Sequence, residues 1–473
     1  MKIKERPNIL WICSDQQRYD TIGALGNSHV RTPNLNRLIH DGTAFSHAFC
    51  QSPICTPSRA SFLTGMYPST VHATLNGNDR WAGAAALLPK LLANAGYDTA
   101  LVGKLHLAGM EGRFEPRGDD GYRHFRWSPV PRHDWPEGHA YADWLGEKGL
   151  DPAVVMADLD GIPSELHQST WCGEETARLI KHGLGRPWFI SVNPFDPHPL
   201  GHRFSPPATV LAGYDPNKLP GPLFRETDLT AQARLAGIDF QTEARRPDEF
   251  DGRQIQARYY AMVEMIDRMV GHILDALEQS GQIQNTLVVF CSDHGEALGD
   301  HGLLLKGCRF YEGLVRVPLI LSWPGHYQSG QVSDALVELV DIAPTLLEAS
   351  GLSVPKSMQG RTLAALLAGS ADPHIHRDFV RCEYYRSLNP NRPGLVGQFE
   401  GSYATMFRTR RDKLVTYHGH NFGELFDIEQ DPGEFDNLWD LPEHAGRRWE
   451  LTRSSFDALA FSLDLGTPQV RHF

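Results

Sequence analysis

Two pairs of neighbouring residues place a carboxylate next to a second metal-binding side chain, directly after a predicted strand. Asp15 and Gln16 form the first pair, and Asp293 and His294 form the second. Carboxylate and amide oxygens suit a hard cation, and an imidazole adds a nitrogen ligand. Taken singly, Asp15 is also typical of an Asx turn and Asp293 of a helix N-cap. Because the carboxyl ends of parallel strands meet at one edge of a sheet, the two pairs together indicate a shared metal site.

A cysteine begins a predicted helix in the segment CTPSRASFLTG. Cys55 is its first residue, and Pro57 suits the first turn of a helix. The free N–H groups and the dipole at a helix N-terminus favour anions. Together with Arg59 they would lower the pKa of a thiol at this position. By spacing alone, Cys55 is either a reactive thiol or a buried structural one.

Four basic side chains also follow predicted strands. Lys104 and His106 are two residues apart, so an extended segment points both to the same side. His198 lies in NPFDPHP, and Lys306 lies in DHGLLLKG. Any one of them alone is typical of a surface charge or a structural histidine. Four such groups beside a helix N-terminus predict a pocket for a tetrahedral anion.

The elements that must position these residues are short apolar runs alternating with longer amphipathic stretches. The predicted strands are Asn8–Cys13, Thr99–Val102, Trp188–Val192, Leu287–Cys291 and Val317–Ser322. They are apolar throughout, as strands buried on both faces are. The clearest helix covers Gln256–Leu277 and stops before Gly281. This alternation predicts an α/β fold with a large, mostly parallel sheet flanked by helices.

The hydrophobic pattern of the sequence changes near residue 365, beyond which shorter alternating segments appear. We predict a larger domain over residues 1–365 and a smaller C-terminal subdomain over residues 366–473. Three alternating segments in the smaller part, Tyr403–Phe407, Lys413–Tyr417 and Glu424–Ile428, predict a small antiparallel sheet. Such segments can also pair between subunits, which is compatible with a homo-oligomer.

Two long polar segments, about residues 109–170 and 196–251, match neither strand nor helix patterns. Loops of this length are typical of lids over a site, and plain surface insertions are the alternative. The first segment is rich in guanidinium groups and aromatic rings: Arg113, Arg117, Arg123, Arg126, Trp127, Arg132, His133 and Trp135. These rings can stack on a ligand and these guanidinium groups can pair with its anionic groups, although the arginines could equally pair with surface acids.

Composition excludes several classes of protein. The 473 residues include 45 Lys and Arg against 57 Asp and Glu, a formal charge of −12 that argues against a nucleic-acid binder. The chain has no apolar run long enough to span a membrane, and Ile9–Cys13 is too short for a signal peptide. Seven cysteines, some of them in strand-like runs, argue against structural disulfides. We therefore expect a cytoplasmic protein with no membrane or nucleic-acid partner.

The segment around Cys55 and several others resemble those of a known family. CTPSR followed by ASFLTG is similar to the C-x-P-x-R signature of the type I sulfatases, which have the alkaline-phosphatase-like fold. Further segments resemble the same family in the same order and span nearly the whole chain: PNILWICSDQQ, HVRTPNLNRL, GYDTALVGKLHL, FDPHP, VVFCSDHGEALGDHGLLLKG, VPLILSWPG, DIAPTLLEASG and GELFDIEQDPGEFDNL.

The resemblance implies a reaction, hydrolysis of a small sulfate monoester to an alcohol and inorganic sulfate. A sulfatase-maturating enzyme would oxidise Cys55 to formylglycine, whose hydrate is the nucleophile of this family. The family's metal positions correspond to Asp15, Gln16, Cys55, Asp293 and His294. The resemblance thus implies one divalent ion as a cofactor, held in the larger, catalytic domain.

The resemblance also implies a role for each of the basic residues. Arg59 matches the arginine that steadies the formylglycine hydrate, and Lys104 and Lys306 match lysines that bind sulfate oxygens. His198 would protonate the leaving alcohol, together with Lys306. His106 would remove the proton of the second hydroxyl of the hydrate, which expels sulfate and restores the aldehyde.

One departure from the family pattern concerns the metal. Many sulfatases carry Asp-Asp and Asp-Asn where this chain has Asp15-Gln16 and Asp293-His294. Two carboxylates instead of three make the site less negative, and an imidazole tolerates softer ions. We expect Ca²⁺ because the other ligands are hard oxygens, with Mn²⁺ or Mg²⁺ as alternatives.

The same departure defines the alternative functions. The Asp-Gln and Asp-His pairs also resemble phosphonate monoester and phosphodiester hydrolases of the same superfamily, whereas Lys104 and His106 in GKLHL resemble sulfatases. A hypothesis of another class is a non-catalytic anion-binding protein in which Cys55 is never converted.

Overall fold

The computed structural model describes residues 6–110, 113–132, 139–157, 161–200, 203–387 and 401–463. The strands of this part are β1 (Asn8–Ser14), β2 (Thr43–Phe45), β3 (Ala48–Phe49), β4 (Asp98–Gly103), β5 (His124–Trp127), β6 (Trp188–Asn193), β7 (Thr286–Ser292), β8 (Arg316–Val317), β9 (Leu319–Ser322), β10 (Gln331–Ser333), β11 (Val337–Glu338), β12 (Val380–Tyr385), β13 (Tyr403–Arg408), β14 (Asp412–Tyr417) and β15 (Gly423–Asp427). The α-helices are α1 (Pro33–His40), α2 (Cys55–Thr64), α3 (Leu88–Asn94), α4 (Ala140–Glu147), α5 (Pro152–Val155), α6 (Gln168–Arg178), α7 (Ala208–Leu211), α8 (Glu226–Arg234), α9 (Gly252–Gln279), α10 (Glu312–Val315), α11 (Ile342–Ala349), α12 (Ala364–Leu367) and α13 (Ala445–Phe461).

Eight strands form the central sheet, in the order β10-β2-β9-β7-β1-β6-β4-β5. Five neighbouring pairs are parallel, and β9 runs antiparallel to both of its neighbours. The predicted α/β class with a large, mostly parallel sheet is therefore confirmed. β1 and β7 are buried along their whole length, as strands covered on both faces by helices must be.

The register between β1 and β7 decides where the predicted metal ligands emerge. Cys13 pairs with Cys291 and Ser14 with Ser292, so both strands end at the same level of the sheet. The backbone N–H of Asp293 then donates to the Ser14 carbonyl oxygen at 3.2 Å. The residues that follow the two strands consequently leave the sheet side by side.

The predicted strand Val317–Ser322 is divided in two. Arg316 and Val317 form β8, which pairs with β3 in a separate three-stranded sheet, whereas β9 belongs to the central sheet. Pro318 lies between them and has no N–H to donate to a ladder, so the chain changes sheets there.

Helices cover both faces of the central sheet. The predicted helix Gln256–Leu277 is confirmed within α9, which packs against α1 and α6 on one face. The helix ends before Gly281, whose φ of +67° is a left-handed conformation that glycine adopts readily. On the other face lies α2, and all ten of its residues are buried. The nucleophile candidate at its start is therefore held in the interior rather than on a surface helix.

The two long polar segments are not simple loops. Besides irregular stretches they contain β5, which lies at the edge of the central sheet, and several short helices, α4, α5, α7 and α8 among them. These elements are too short to give a clear hydrophobic period, which is why the sequence pattern misses them.

The C-terminal antiparallel sheet is confirmed, in the order β12-β13-β14-β15. Its first strand, β12, was not predicted. The Glu383 N–H donates to the Gln51 carbonyl oxygen at 2.8 Å and ties the small sheet to the chain just before α2. The boundary near residue 365 stays a prediction. All seven cysteines are buried and free, as expected, and none of the described helices combines the length and hydropathy of a membrane span.

Candidate active site

Asp15 and Asp293 lie next to each other at the carboxyl edge of the central sheet. The Asp15 N–H donates to the Asp196 carbonyl oxygen at 3.0 Å. The side chains of Asp15 and Asp293 are both fully buried. The Gln16 N–H donates to Asp293 Oδ1 at 2.9 Å, as does the His294 N–H. One backbone N–H group from each predicted pair therefore holds the Asp293 carboxylate at the centre of the site.

Gln16 turns its side chain back toward this centre. Its φ of +70° lies in the left-handed region, which is uncommon for a residue with a Cβ atom. The Tyr259 hydroxyl donates to the Gln16 carbonyl oxygen at 2.6 Å and secures this conformation. The Gln16 amide oxygen then accepts a hydrogen bond from Lys306 Nζ at 2.7 Å.

Cys55 lies at the N-terminus of α2, as predicted, with its sulfur facing the two strand ends. The thiol is 3.6 Å from Asp15 Oδ1 and 3.1 Å from His294 Nε2. Burial and the Asp15 charge raise the pKa of the Cys55 thiol, whereas Lys104 and Lys306 lower it, and the resulting pKa lies below its ordinary value. The structure thus brings Cys55 into the predicted metal cluster rather than into an apolar core.

His294 is held as a neutral imidazole with one nitrogen directed at the cluster. Nδ1 lies 2.8 Å from the Gly295 carbonyl oxygen and donates to it, so Nε2 carries the free lone pair. Burial lowers the pKa of His294 to about 4. A Cβ atom on Gly295 would lie 1.9 Å from the Gly313 carbonyl oxygen, so only glycine fits directly after His294. Nε2 is consequently available as a metal ligand.

Arg59, one turn along α2 from Cys55, neutralises the buried carboxylates. Its Nε donates to Asp293 Oδ2 at 2.8 Å, and its Nη2 is 3.6 Å from Asp15 Oδ2. Burial lowers the pKa of Arg59, but Asp293, Asp15 and the neighbouring cysteines together raise it more, so the guanidinium stays charged. Because both partners are buried, loss of either one would leave an unpaired charge in the interior.

Two lysine ammonium groups face the same centre from different loops. Lys104 Nζ donates to Asp15 Oδ2, and Lys306 Nζ lies 2.9 Å from the Cys55 sulfur. Burial lowers the pKa of Lys104, but Asp15, Cys55 and Asp293 together raise it above its ordinary value. The same Lys104 also lowers the pKa of the Asp15 carboxyl, although burial alone would raise it. Both lysines are 2% exposed, so their charges act in a medium that screens weakly.

The two predicted histidines lie at the rim of this cluster. Burial and Lys306 lower the pKa of His198 to about 4, and its side chain hydrogen-bonds Cys55. Burial and Lys104 lower the pKa of His106 well below its ordinary value. Within the described part of the chain, the buried Nδ1 of His106 has no hydrogen-bond partner. Both imidazoles are thus neutral at pH 7.

The donor set fits a divalent cation. Ligand atoms of Asp15, Cys55, Asp293 and His294 all lie within 4.8 Å of one another. A cationic group already lies among donors of this kind, since Lys306 Nζ is 2.7 Å from the Gln16 amide oxygen and 3.3 Å from His294 Nε2. Besides the Cys55 sulfur, the donors are carboxylate oxygens and an imidazole nitrogen, which suit several divalent ions.

Two buried carboxylates that the sequence analysis missed support the predicted residues. Glu296 accepts hydrogen bonds from the Gln16 side chain, and burial raises the pKa of its carboxyl. Glu115 accepts the backbone N–H groups of His106 at 2.9 Å and of Ala108 at 3.0 Å. Glu296 follows Asp293-His294-Gly295 directly in the sequence, which is a usable signal, whereas nothing in the surroundings of Glu115 in the sequence marks it out.

Several arginines of the first polar segment are already paired with acids. Arg117 donates to Asp120 at 2.7 Å, and Arg126 lies 2.9 Å from Glu175. Arg113 contacts exposed Asp79 at 3.5 Å. His133 and Trp135, predicted with this group, lie outside the described residues. For these arginines the pairing with acids is therefore the observed arrangement.

Comparisons with known proteins identify the family. The sequence model of the Sulfatase family matches residues 7–352, and that of the N-sulphoglucosamine sulphohydrolase C-terminal region matches residues 299–456. An arylsulfatase of Clostridium perfringens is 30% identical over 93% of this chain and 92% of its own length. The multifunctional alkaline phosphatase superfamily protein PehA of Trinickia caryophylli is 29% identical over the same shares. The crystal structure of a phosphonate monoester hydrolase of Agrobacterium radiobacter superposes with a TM-score of 0.82 at 26% identity, covering 97% of this chain and 96% of that one. The chain belongs to the sulfatase family and is a sulfuric ester hydrolase.

Proposed function

We propose that this enzyme hydrolyses a sulfate monoester to an alcohol and inorganic sulfate, with a formylglycine made from Cys55 as its nucleophile. The observation that carries the proposal is the position of the Cys55 sulfur. It lies at a helix N-terminus, 3.1 Å from His294 Nε2 and 2.9 Å from Lys306 Nζ, and it faces the Asp15 carboxylate. An anion bound there would meet fixed positive charge on several sides.

One divalent ion completes the site in this proposal. Asp15, Gln16, Asp293 and His294 would hold it together with residue 55, and Ca²⁺ is our first choice, before Mn²⁺ and Mg²⁺. When bound, such an ion supplies Lewis-acid stabilisation of negative charge and lowers the pKa of a neighbouring hydroxyl. Arg59 donates to the Asp293 carboxylate and fixes its orientation.

Formylglycine supplies what a thiol cannot. Its hydrate carries two hydroxyls, one to attack sulfur and one whose deprotonation expels the bound sulfate. Lys104 and Lys306 would bind the sulfate oxygens, because their ammonium groups lie 3.9 Å and 2.9 Å from the Cys55 sulfur. These buried donors would stabilise the charge that grows on the oxygens as the ester bond breaks.

The two histidines handle protons. His106 is neutral, and its Nδ1 has no partner among the residues that the structure describes, so it can accept the proton of the second hydroxyl. His198 is neutral as well, and Lys306 is a principal cause of its lowered pKa. A bound sulfate would offset the Lys306 charge and raise the His198 pKa, which allows His198 and Lys306 together to protonate the leaving alcohol.

A second candidate function is hydrolysis of phosphonate monoesters or phosphodiesters. Besides the Agrobacterium enzyme, the phosphonate monoester hydrolase of Silicibacter pomeroyi superposes with a TM-score of 0.84 at 25% identity, covering 99% of this chain and 98% of that one. The Asp-Gln and Asp-His pairs favour this alternative, whereas Lys104 and His106 in GKLHL favour sulfate. The sulfate monoester remains our first proposal.

For the leaving group we propose a sulfated sugar. One relative is named N-acetylglucosamine-6-O-sulfatase, from Bacteroides thetaiotaomicron, and is 26% identical over 94% of this chain and 85% of its own length.

We also propose a reducing, cytoplasmic location, because buried free cysteines are typical of such a compartment. A sulfatase-maturating enzyme and a homo-oligomeric partner belong to the same proposal, as does a domain boundary near residue 365.

Two measurements test the function. Peptide mass mapping around Cys55 should show a loss close to the mass of one water, which hydration restores, since sulfur and two hydrogens are replaced by oxygen. A panel of an aryl sulfate, sulfated mono- and disaccharides and a phosphodiester should then show sulfate release that chelation abolishes and added Ca²⁺ or Mn²⁺ restores. An active enzyme with an unmodified Cys55 thiol would refute the proposed nucleophile, and a preference for the phosphodiester would favour the second candidate.

A further inference from the structure

Glu296 makes hydrogen bonds in two directions from a fully buried position. Its Oε1 accepts the backbone N–H groups of Leu298, at 3.0 Å, and of Leu305. Its Oε2 accepts a hydrogen bond from Gln16 Nε2. One oxygen therefore fixes the loop after Asp293, and the other holds the far side of the Gln16 amide.

The Gln16 amide is asymmetric, and its orientation matters. Its oxygen can bind a cation, whereas its NH₂ group cannot, and a half-turn about the last side-chain bond exchanges the two. On one side, Lys306 Nζ lies 2.7 Å from the amide. An ammonium group can only donate, so the atom it contacts must be the oxygen. The NH₂ group then faces Glu296, which accepts its hydrogen bond.

We propose that Glu296 is a positioning residue that keeps the Gln16 amide oxygen directed at the metal. The inference rests on the metal site of the proposed function. A carboxylate in place of Gln16 would present an oxygen in either orientation and would need no such partner. The glutamine therefore depends on a neighbour that accepts from its NH₂ group, and Glu296 is built into the loop to do so.

Glu296→Gln separates this role from a purely structural one. The two side chains have the same shape, and the carbonyl oxygen of the new amide can still accept from Leu298 and Leu305. Its NH₂ group would then meet the NH₂ group of Gln16, and the Gln16 amide must turn its oxygen away from the metal. The double variant Gln16→Glu/Glu296→Gln exchanges the partners and restores an oxygen on the metal side.

The test is titration calorimetry of Mn²⁺ into chelator-treated full-length protein, which needs no turnover. Loss of an outer partner of a metal ligand typically weakens metal affinity about 10- to 100-fold, so we expect this loss in Glu296→Gln. The double variant should bind Mn²⁺ about as tightly as the wild type. Glu175→Gln, a buried glutamate on α6 paired with Arg126 and Arg178, is the matched control and should leave the affinity unchanged.

The possible failures are distinguishable. Equal Mn²⁺ affinity of the wild type and Glu296→Gln would overturn this inference alone, and so would a double variant that folds but binds as weakly as Glu296→Gln. If Glu296→Gln does not fold, the double variant decides, because the exchange predicts a folded protein with wild-type affinity. A wild type that binds no divalent ion would overturn the proposed metal site and this inference with it.

Discussion

Lys306→Met should strongly slow turnover without weakening metal binding. Lys306 Nζ contacts the Gln16 amide oxygen, the Cys55 sulfur and His294 Nε2, at 2.7, 2.9 and 3.3 Å. If it binds a sulfate oxygen in the transition state, the variant loses one buried, charge-assisted donor, which typically costs about 10²–10³ in kcat, or ~2.7–4 kcal/mol. Metal affinity should stay or rise, because an ammonium group repels a divalent ion held by the same ligands.

The assay combines initial rates on an aryl sulfate with calorimetric Mn²⁺ titration. Lys90→Met is the control, since Lys90 is on α3, partly exposed and paired with Asp119 at 2.8 Å. A change at such a surface position typically alters the free energy of unfolding by less than about 0.5 kcal/mol and touches none of the site residues, so kcat should stay within about threefold of wild type. The reasoning fails if Lys306→Met keeps a kcat in that range, or if its metal affinity falls in parallel with its activity.

Three further outcomes are expected, for Cys55, for the metal and for His301. Cys55→Ala should fold but show almost no turnover. Cys55→Ser should stop after one sulfuryl transfer, because a serine sulfate ester has no second hydroxyl. Repeated turnover by a serine variant without aldehyde would contradict this. Chelation should lower the thermal unfolding temperature, since two buried carboxylates lose a cation; an unchanged temperature would argue against the metal site. The free energy of unfolding should fall as the pH rises above about 6.5. Burial lowers the pKa of His301, but Asp228, 3.0 Å away, raises it more. The folded protein therefore keeps this proton to a higher pH than the unfolded chain does. His301→Gln should remove that part of the slope in urea titrations between pH 6 and 8.5, and an unaltered slope would refute the assignment.

The convergence of the site was predictable because it follows from one rule of α/β sheets. Asp15 and Asp293 are 278 residues apart, yet each directly follows an apolar run, and parallel strands of one sheet end at the same edge. The register between β1 and β7 then fixes their separation. Cys55 was predictable in place, at a helix start, but not in environment, since a thiol at a helix N-terminus is equally consistent with a core position.

What the sequence could not supply are contacts whose partners carry no pattern of their own. The split between β8 and β9 depends on a single proline, and the pairing of Arg126 with Glu175 depends on β5 and α6 coming together. The orientation of the Gln16 amide is a third case, because it is decided by Lys306 and Glu296 together, 290 and 280 residues away. Periodicity describes which face of an element is buried, whereas these features depend on which side chains meet after packing.

The charge of the site explains why one framework serves both sulfate and phosphonate chemistry among its relatives. In the proposed metal site, Gln16 and His294 would be neutral ligands, whereas Asp15 and Asp293 would contribute two negative charges. A divalent ion would cancel them, which leaves the positive charges of Arg59, Lys104 and Lys306 beside residue 55. This surplus attracts any tetrahedral oxyanion, singly or doubly charged, so electrostatics alone does not select sulfur over phosphorus. Selection must therefore come from the groups that contact the substituent and the leaving oxygen, and those contacts, rather than the metal ligands, are where specificity in this enzyme should be sought.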